Sequence, residues 1–381
     1  MRILHLFSDW KWTGPAEPIV NLCKALQERG HDVTLAYRRP PEGTRKSIRS
    51  EVRKRGLKGT EVFSLAPLSK PYQLGRLWQL ALDLKRLSSF INEEGIEVVN
   101  VHSSHDHIVG GMAAIFSKVR PPVVRTDHKA DSLNFGLLSR YPFRRLTDGF
   151  ITFSERGKKR IAEEFPSKRV LKINPALDLD RFTGREWKDM RSLFGIERRA
   201  PVVGIAARFQ RYRNTELLLR AFAQLSRDLP EARLLLVGRS SQMEESVLKP
   251  LKELGLEGKA ILAGYREDDY LDTLAAMDVF VLISPGSDGT ARALREAMAM
   301  GKAVVVTRRG MLPELVKDGV SGYVVDEDSS SLSEALLELL RNEALRERMG
   351  AEARRYAFEN FRLDRQAEEV ERFYRSLLQR R

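Results

Sequence analysis

The chain reads as an α/β protein made of two doubly wound domains in succession, and three observations predict it. Short apolar runs alternate with helix-period segments along most of the sequence, the pattern of parallel strands joined by helical crossovers. The alternation is interrupted once, at 174–200, and then restarts. The length, 381 residues, exceeds what one hydrophobic core ordinarily serves.

The first series opens with the strand RILHLF, followed by the loop SDWKWTGPAEP and a helix on which Ile19, Leu22, Cys23 and Leu26 share a face. Gly30 stops that helix and HDVTLAYR resumes as a strand, completing a βαβ unit with an expected right-handed crossover. Strands follow at 97–102, 122–128 and 149–154, with a helix near 107–117. The second series starts with VVGIAAR (202–208) and continues through strands at 233–238, AILAG, 278–284 and 303–307. Several of these are unbroken apolar runs, as expected of strands covered on both faces. We therefore expect a first domain over 1–180, a connection over 181–200 and a second domain over 201–364. A terminal helix over 365–381 is expected to cross back onto the first.

Composition narrows the class. The apolar share is 42% with interspersed charge, a globular balance. No apolar run approaches the roughly 20 residues that span a bilayer. Asp9 and Lys11 cut the opening apolar run short, so no signal peptide is expected. The single cysteine, Cys23, sits in an apolar helical pattern and reads as a small buried hydrophobe; a cytoplasmic, reducing setting follows.

The net charge of +13 is uneven: residues 1–180 hold nearly all the excess, so the first domain is expected to face something anionic. A soluble basic surface without a special partner is the plainer reading. The stretch 38–58 is dense in Lys and Arg, and 73–91 is amphipathic, fitting either an interfacial helix or one packed on the domain.

Chemistry concentrates in 283–305, ISPGSDGTARALREAMAMGKAVV. After a buried strand, a small-residue turn opening a helix exposes backbone N–H groups, and with the helix dipole these suit a diphosphate. Glu296 lies eight residues past Asp288, placed to accept from ribose hydroxyls; taken alone, Asp288 could instead be a helix cap and Glu296 a solvated side chain. His102 and His128 stand at the carboxyl ends of strands, where doubly wound sheets hold ligands, or else satisfy loop carbonyls. His105 and His107 follow closely, but no Asp, Glu or Cys stands at a convincing metal-ligand spacing.

In order along the chain stand LLLVGRSS, AILAGYREDDYLDTLAAMDVFVLIS, DGTARALREAMAMGKAVVVT, GMLPELVKDGVSGYVVD and LSEALLELL. This set resembles the donor-binding half of the retaining, GT-B-fold glycosyltransferases of family four, strongly over 200–345 and more loosely before. The resemblance implies two Rossmann-like domains facing each other across a cleft that closes to exclude water. It implies that Arg208 and Arg213 neutralise the leaving diphosphate, with no cofactor and no metal. Asp288 would hold sugar hydroxyls and Glu296 the ribose. Gly289, Thr290, Ala291 and Arg292 would line the phosphates, Gly238 the nucleotide pocket, and Tyr265 and Arg266 the base. Gly14 would admit the diphosphate closely, and His128 would sit near the donor sugar. His102 and Lys129 are candidates on the acceptor side.

The sequence departs from the family pattern in several places. Asp288 stands for the commoner Glu, Thr290-Ala291 for Phe-Gly, Gly14-Pro15 for a double glycine, Arg213 for lysine and NPAL for PNGV. The expected donor is a nucleotide-sugar, UDP first with GDP and ADP open. The expected acceptor is an anionic envelope glycan or glycolipid, such as a lipopolysaccharide core intermediate, reached through peripheral contact with an anionic membrane face. Rival readings are a nucleotide-sugar 2-epimerase or hydrolase of the same fold, and a non-catalytic nucleic-acid-binding protein. The latter lacks the aromatic stacking modules that single strands require.

Overall fold

The computed structural model describes residues 1–12, 14–61, 63, 74–128, 137–285 and 291–379. Asp288, Gly289, Thr290 and Lys129, all singled out above, lie outside these. The chain divides into two compact units, Met1–Ala176 with Leu363–Arg381, and Leu177–Arg362.

Among the described residues the first unit holds seven strands: β1 (Arg2–Phe7), β2 (Asp32–Tyr37), β3 (Lys58–Thr60), β4 (Val98–Val101), β5 (Val123–Thr126), β6 (Gly149–Thr152) and β7 (Arg169–Lys172). Their order is β3-β2-β1-β4-β5-β6-β7, all parallel. The second unit holds β8 (Val202–Arg208), β9 (Arg233–Arg239), β10 (Ala260–Gly264), β11 (Val279–Leu282), β12 (Ala303–Thr307) and β13 (Gly322–Val325). These run β10-β9-β8-β11-β12-β13, again all parallel. Each sheet reverses its winding once, between β1 and β4 and between β8 and β11. Loops leaving the carboxyl ends of those strands diverge there and leave a crevice for a ligand.

The apolar runs do what their composition requires. β4, β5, β6, β11 and β12 are buried along their whole length. Leu4 and Leu6 of β1 pack with Val99 and Val101 of β4, and with Leu87, Ile91, Val109 and Ala113 from the covering helices. In the second unit Val203, Ile205, Val279, Val281 and Val305 join Leu218, Phe222 and Leu225 in one core. Each such side chain contributes about 1.5–3 kcal/mol.

The amphipathic stretch near 73–91 forms the helix Leu74–Glu93. Leu87 and Ile91 enter the core and Leu80, Leu84 and Phe90 pack on it, so this helix is docked on its sheet; Trp78 stays exposed. The helix expected near 107–117 begins earlier, at Ser104. Ser103 and Asp106 form a capping box there, each side chain accepting from the other's backbone N–H. Such a cap is local chemistry that hydrophobic spacing does not register.

The stretch 181–200 packs on the second unit. Arg185 pairs with Asp272 at 2.8 Å, and Arg191 bonds both Asp278 at 2.7 Å and the Ala276 carbonyl. The terminal helix, Leu363–Leu378, belongs to the first unit. It buries Ala367, Val370, Phe373, Tyr374 and Leu377, and the Tyr374 hydroxyl accepts a hydrogen bond from Asn100 of β4 at 2.6 Å. Part of the basic stretch 38–58 is neutralised locally: Arg49 pairs with Glu61 and Arg55 with Glu51, while Arg55 also lies over the Trp12 ring. Cys23 is buried and its thiol is pushed well above the usual range by desolvation, as suits a small core residue.

Candidate active site

On the second unit the singled-out residues collect at the carboxyl edge of the sheet, because every strand there runs in the same direction. Arg208 ends β8 and pairs in register with Arg239 of β9. It is exposed, and its guanidinium makes no hydrogen bond or ion pair among the described residues. Arg213 follows in a short 3-10 turn, Arg211–Arg213. Its side chain is buried against the Tyr212 ring, and its Nε has no hydrogen-bond partner among the described residues. A buried guanidinium nitrogen left unbonded is costly unless something completes it. Asn214 then takes a left-handed conformation, φ 55°, and starts the helix Thr215–Asp228.

Gly238, near the end of β9, has φ +143°, and a Cβ there would fall 1.8 Å from the Ala207 carbonyl oxygen of β8. Only glycine fits where the two backbones approach so closely. Beyond β10, Tyr265 is exposed with Arg239 stacked on its ring at 4.3 Å. Arg266 is held by an ion pair to Asp269. That pair engages the Arg266 guanidinium and leaves Tyr265 and Arg239 as the open face of this corner.

β11 lies beside β8, so the chain leaving β11 emerges next to Arg208. The helix Arg292–Ala299 begins there on Ala291, itself left-handed at φ 45° and buried. Glycine is what the family places at this position, and the backbone angle explains why. An L-residue held at positive φ carries strain, offset here by burial of the methyl group. Ala291→Gly is therefore expected to leave the melting temperature nearly unchanged. Ala291→Val, a β-branched side chain at positive φ, should cost about 2–3 kcal/mol. Thermal unfolding of the two variants checks this; a Val variant as stable as the Gly variant contradicts the backbone assignment.

Glu296 sits on the inner face of that helix, 1% exposed, and accepts from Arg292 Nε at 2.8 Å. It is also bonded by the Tyr270 hydroxyl, whose own ionisation is pushed well above the ordinary range by burial and by the Glu296 carboxylate. Glu296 is thus a buried, oriented carboxylate whose remaining lone pairs suit a diol. Arg292, expected above to line the phosphates, turns its guanidinium to orienting that carboxylate.

On the first unit, Gly14 has φ +51° with nothing within 4 Å of where a Cβ would stand. Its place is a turn that favours glycine by its angle, in the loop leaving β1. The Ser8 backbone N–H is fixed by Asp106 at 2.8 Å, and Ser8 Oγ meets Ser103 Oγ at 3.0 Å, so this loop is tied to the start of the helix after β4.

His128 and His102 are brought together. His102 Nδ1 lies 2.9 Å from His128 Nε2, and His102 Nε2 lies 2.9 Å from Nδ1 of His5 in β1. All three rings are buried. His102, a candidate on the acceptor side, has both ring nitrogens engaged and none left for a ligand. Desolvation holds the three imidazoles neutral, lowering His5 and His128 from 6.5 to about 3 and His102 well below its usual value. Arg125 of β5, buried with Nε and one terminal nitrogen unpartnered, adds its positive charge to that effect on His102 and His128. His107 is buried with Nε2 against the Thr147 hydroxyl, a satisfied core histidine.

Sequence reasoning passed over His5, Asn100, Arg125 and Tyr270. The first three had a signal: each is a polar residue in a largely apolar run that reads as a buried strand, and such a residue needs a partner. Tyr270 had none, since its bond to Glu296 depends on tertiary packing.

Comparisons with known proteins bear on the family and the fold. Residues 188–356 match the family model described as glycosyl transferases group 1, and residues 13–181 match that described as glycosyltransferase family 4. The chain is 28% identical over 388 residues to a D-inositol 3-phosphate glycosyltransferase of Corynebacterium jeikeium, covering 94% of this chain and 90% of that protein. It is 26% identical over 214 residues to an N-acetyl-alpha-D-glucosaminyl L-malate synthase of Bacillus anthracis, covering 56% of this chain and only 55% of that relative's length. Among solved structures it resembles Anabaena Alr3699/HepE in complex with UDP and glucose, with a TM-score of 0.78 and 20% identity, covering 99% of this chain and 100% of that one. With one family model on each unit, the chain belongs to the group 1 glycosyltransferases of GT-B fold, with a family-4-type N-terminal domain.

Proposed function

We propose that this protein transfers a sugar from a nucleotide-sugar, UDP-linked in the first instance, to an anionic envelope glycan or glycolipid with retention of anomeric configuration and without a divalent metal. The observation that carries the reading is the pair Arg208 and Arg213. Among the described residues one guanidinium is exposed and makes no ion pair and the other is buried with an unbonded Nε; Arg208 ends β8 and Arg213 follows it, beside the strand that leads into Ala291 and the helix behind it.

In the reaction the bond between the anomeric carbon and the β-phosphate oxygen breaks, and its electron pair leaves with the diphosphate. The acceptor hydroxyl oxygen bonds to that carbon from the face the diphosphate vacates, and its proton passes to the departing phosphate. The two arginines stabilise the charge that develops, the task a metal performs in other enzymes. Glu296 orients the ribose. The solved HepE complex carries UDP, which supports trying that nucleotide first. The relatives' names include an inositol phosphate and malate, both anionic, which together with the basic first half supports an anionic acceptor. Lipopolysaccharide core intermediates and other membrane-held glycolipids meet that description.

Incubation with UDP-, GDP- and ADP-sugars, with and without a lipopolysaccharide core acceptor and in the presence of EDTA, tests the proposal. Expected is acceptor-dependent nucleotide release that EDTA leaves intact, with product anomeric coupling matching the donor's. Inverted product or loss of release with EDTA contradicts it, and an epimer or free sugar formed from donor alone favours the epimerase or hydrolase reading. Pelleting with anionic liposomes at low salt tests the membrane contact; a protein that stays in the supernatant has no such contact.

A further inference from the structure

We propose that His5 and His102 are positioning residues that hold His128 in its Nδ1–H tautomer, so that His128 presents a hydrogen-bond donor at the carboxyl edge of the first sheet. Three buried imidazoles run across β1, β4 and β5 in one line, His5 Nδ1 to His102 Nε2 at 2.9 Å and His102 Nδ1 to His128 Nε2 at 2.9 Å. The His5 and His102 rings stack at 5.2 Å, 15° apart, and the His102 and His128 rings lie 5.1 Å apart. Phe7 packs edge-on against His102 and Phe153 lies tilted by 38° against His128, so apolar walls fix the ring planes.

The two end atoms, His5 Nε2 and His128 Nδ1, are buried and without a partner among the described residues. A neutral imidazole carries one N–H and one lone pair. Two hydrogen bonds through three such rings allow only two arrangements of protons. In the first, every Nδ1 carries its hydrogen; the chain ends in a bare lone pair on His5 Nε2 and an N–H on His128 Nδ1. In the second, every Nε2 carries it; His5 then holds an N–H that nothing accepts, and His128 offers only a lone pair.

The ends are not equivalent. His5 lies mid-strand in β1 and is fully buried, so no ligand can complete a donor there. His128 lies two residues beyond β5, where doubly wound sheets hold their ligands. A buried N–H without an acceptor is the rarer defect in folded proteins, an underused lone pair the commoner one. The first arrangement puts the only unmatched donor where an incoming oxygen can meet it. A free histidine favours the opposite tautomer, so the chain does something an isolated residue would not. It cannot conduct protons, because His5 Nε2 is buried from solvent and has no partner among the described residues to supply one.

The groups facing this chain leave the arrangement intact. Arg125 is the cation nearby, and Asp106 and Asp127 face Arg125. Beneath the imidazoles Thr126 donates to Asn100 Oδ1 at 2.8 Å, and Asn100 donates to the Tyr374 hydroxyl. That second polar row ties β4 and β5 to the terminal helix and keeps their register.

The experiment is nitrogen NMR on the full chain labelled at histidine, without any ligand, for the wild type, His5→Phe and His5→Asn. Phe keeps the ring and its stack but deletes the Nδ1 donor; the Asn amide restores a donor near the same place. The His128 resonances, assigned through a His128→Gln sample, are expected to report Nδ1–H in the wild type. They should shift to Nε2–H, wholly or in part, in His5→Phe and return in His5→Asn. An Nε2–H His128 in the wild type overturns the proposal, as does an Nδ1–H that persists in His5→Phe. A kinetic arm rests on the glycosyl-transfer reading: with UDP-glucose as probe, His5→Phe should lower kcat for UDP release about tenfold with KM nearly unchanged, the loss of one hydrogen bond. If the tautomer switches and kcat does not move, the donor N–H is not used in turnover. If no UDP-glucose turnover is seen at all, the tautomer result still decides the positioning claim.

Discussion

Arg208→Ala is expected to lower kcat by roughly two to three orders of magnitude, the usual cost of removing one preorganised group from a developing anion. The variant should fold normally, because Arg208 is exposed and makes no hydrogen bond or ion pair among the described residues; exposed substitutions of this kind stay within about 0.5 kcal/mol of the parent. Stability and turnover therefore separate cleanly at this position. Arg213 is different. Its buried side chain packs on Tyr212, so Arg213→Ala should lose both turnover and stability. Arg213→Lys, which restores the residue type the family pattern places there, keeps the charge but not the planar fork; it should retain activity within about tenfold of the parent. Steady-state rates beside thermal unfolding of the three variants check this. An Arg208→Ala enzyme with parental kcat would remove the diphosphate role from that residue.

Acidification should unfold the first unit well before ordinary carboxylate titration does. His5, His102, His107 and His128 are all buried and neutral when folded, with His5, His107 and His128 lowered from 6.5 to about 3. Below pH 6.5 the unfolded chain takes up protons on these rings and the folded chain does not. Stability is thus full above pH 6.5 and falls as the pH drops from there toward 3. Each such histidine contributes on the order of 1 kcal/mol per pH unit within that window, so four together rival the whole stability of a typical domain. Asp106, a buried carboxyl raised by desolvation, acts in the opposite sense at the acid end and softens the fall there. Calorimetric melting between pH 7.5 and 5.5 should show a steep decline in a transition that includes the first unit. A melting temperature flat across that range contradicts neutral burial of the histidines.

The fold was legible in the sequence because its strands are apolar throughout. β8 and β12 stand where the runs 202–208 and 303–307 placed them, and β11 is the core of the run 278–284. Periodicity alone left the helix over 74–93 open between a membrane face and a core face; Leu87 and Ile91 in the core decide it. Of the site, Arg208, Glu296 and the turn before the helix are named from motif order and resemblance, whereas the adjacency of β11 and β8 that brings their loops together is seen only in the structure. What sequence could not show was who holds whom. The Tyr270 bond to Glu296 joins residues on two helices, and the His5–His102–His128 line joins three strands through contacts set only by register. The strained backbone at Ala291 was equally invisible, because alanine gives no sign of positive φ.

The most direct measurement is calorimetric titration of UDP into the wild type, Arg208→Ala and Glu296→Gln. Gln at 296 can still accept from the Tyr270 hydroxyl, so the pocket should keep its shape. The wild type is expected to bind and each variant to bind at least about tenfold more weakly, the cost of a hydrogen bond to a charged group, while both variants melt near the parental temperature without ligand. UDP bound by both variants as tightly as by the wild type would mean that the nucleotide is held elsewhere.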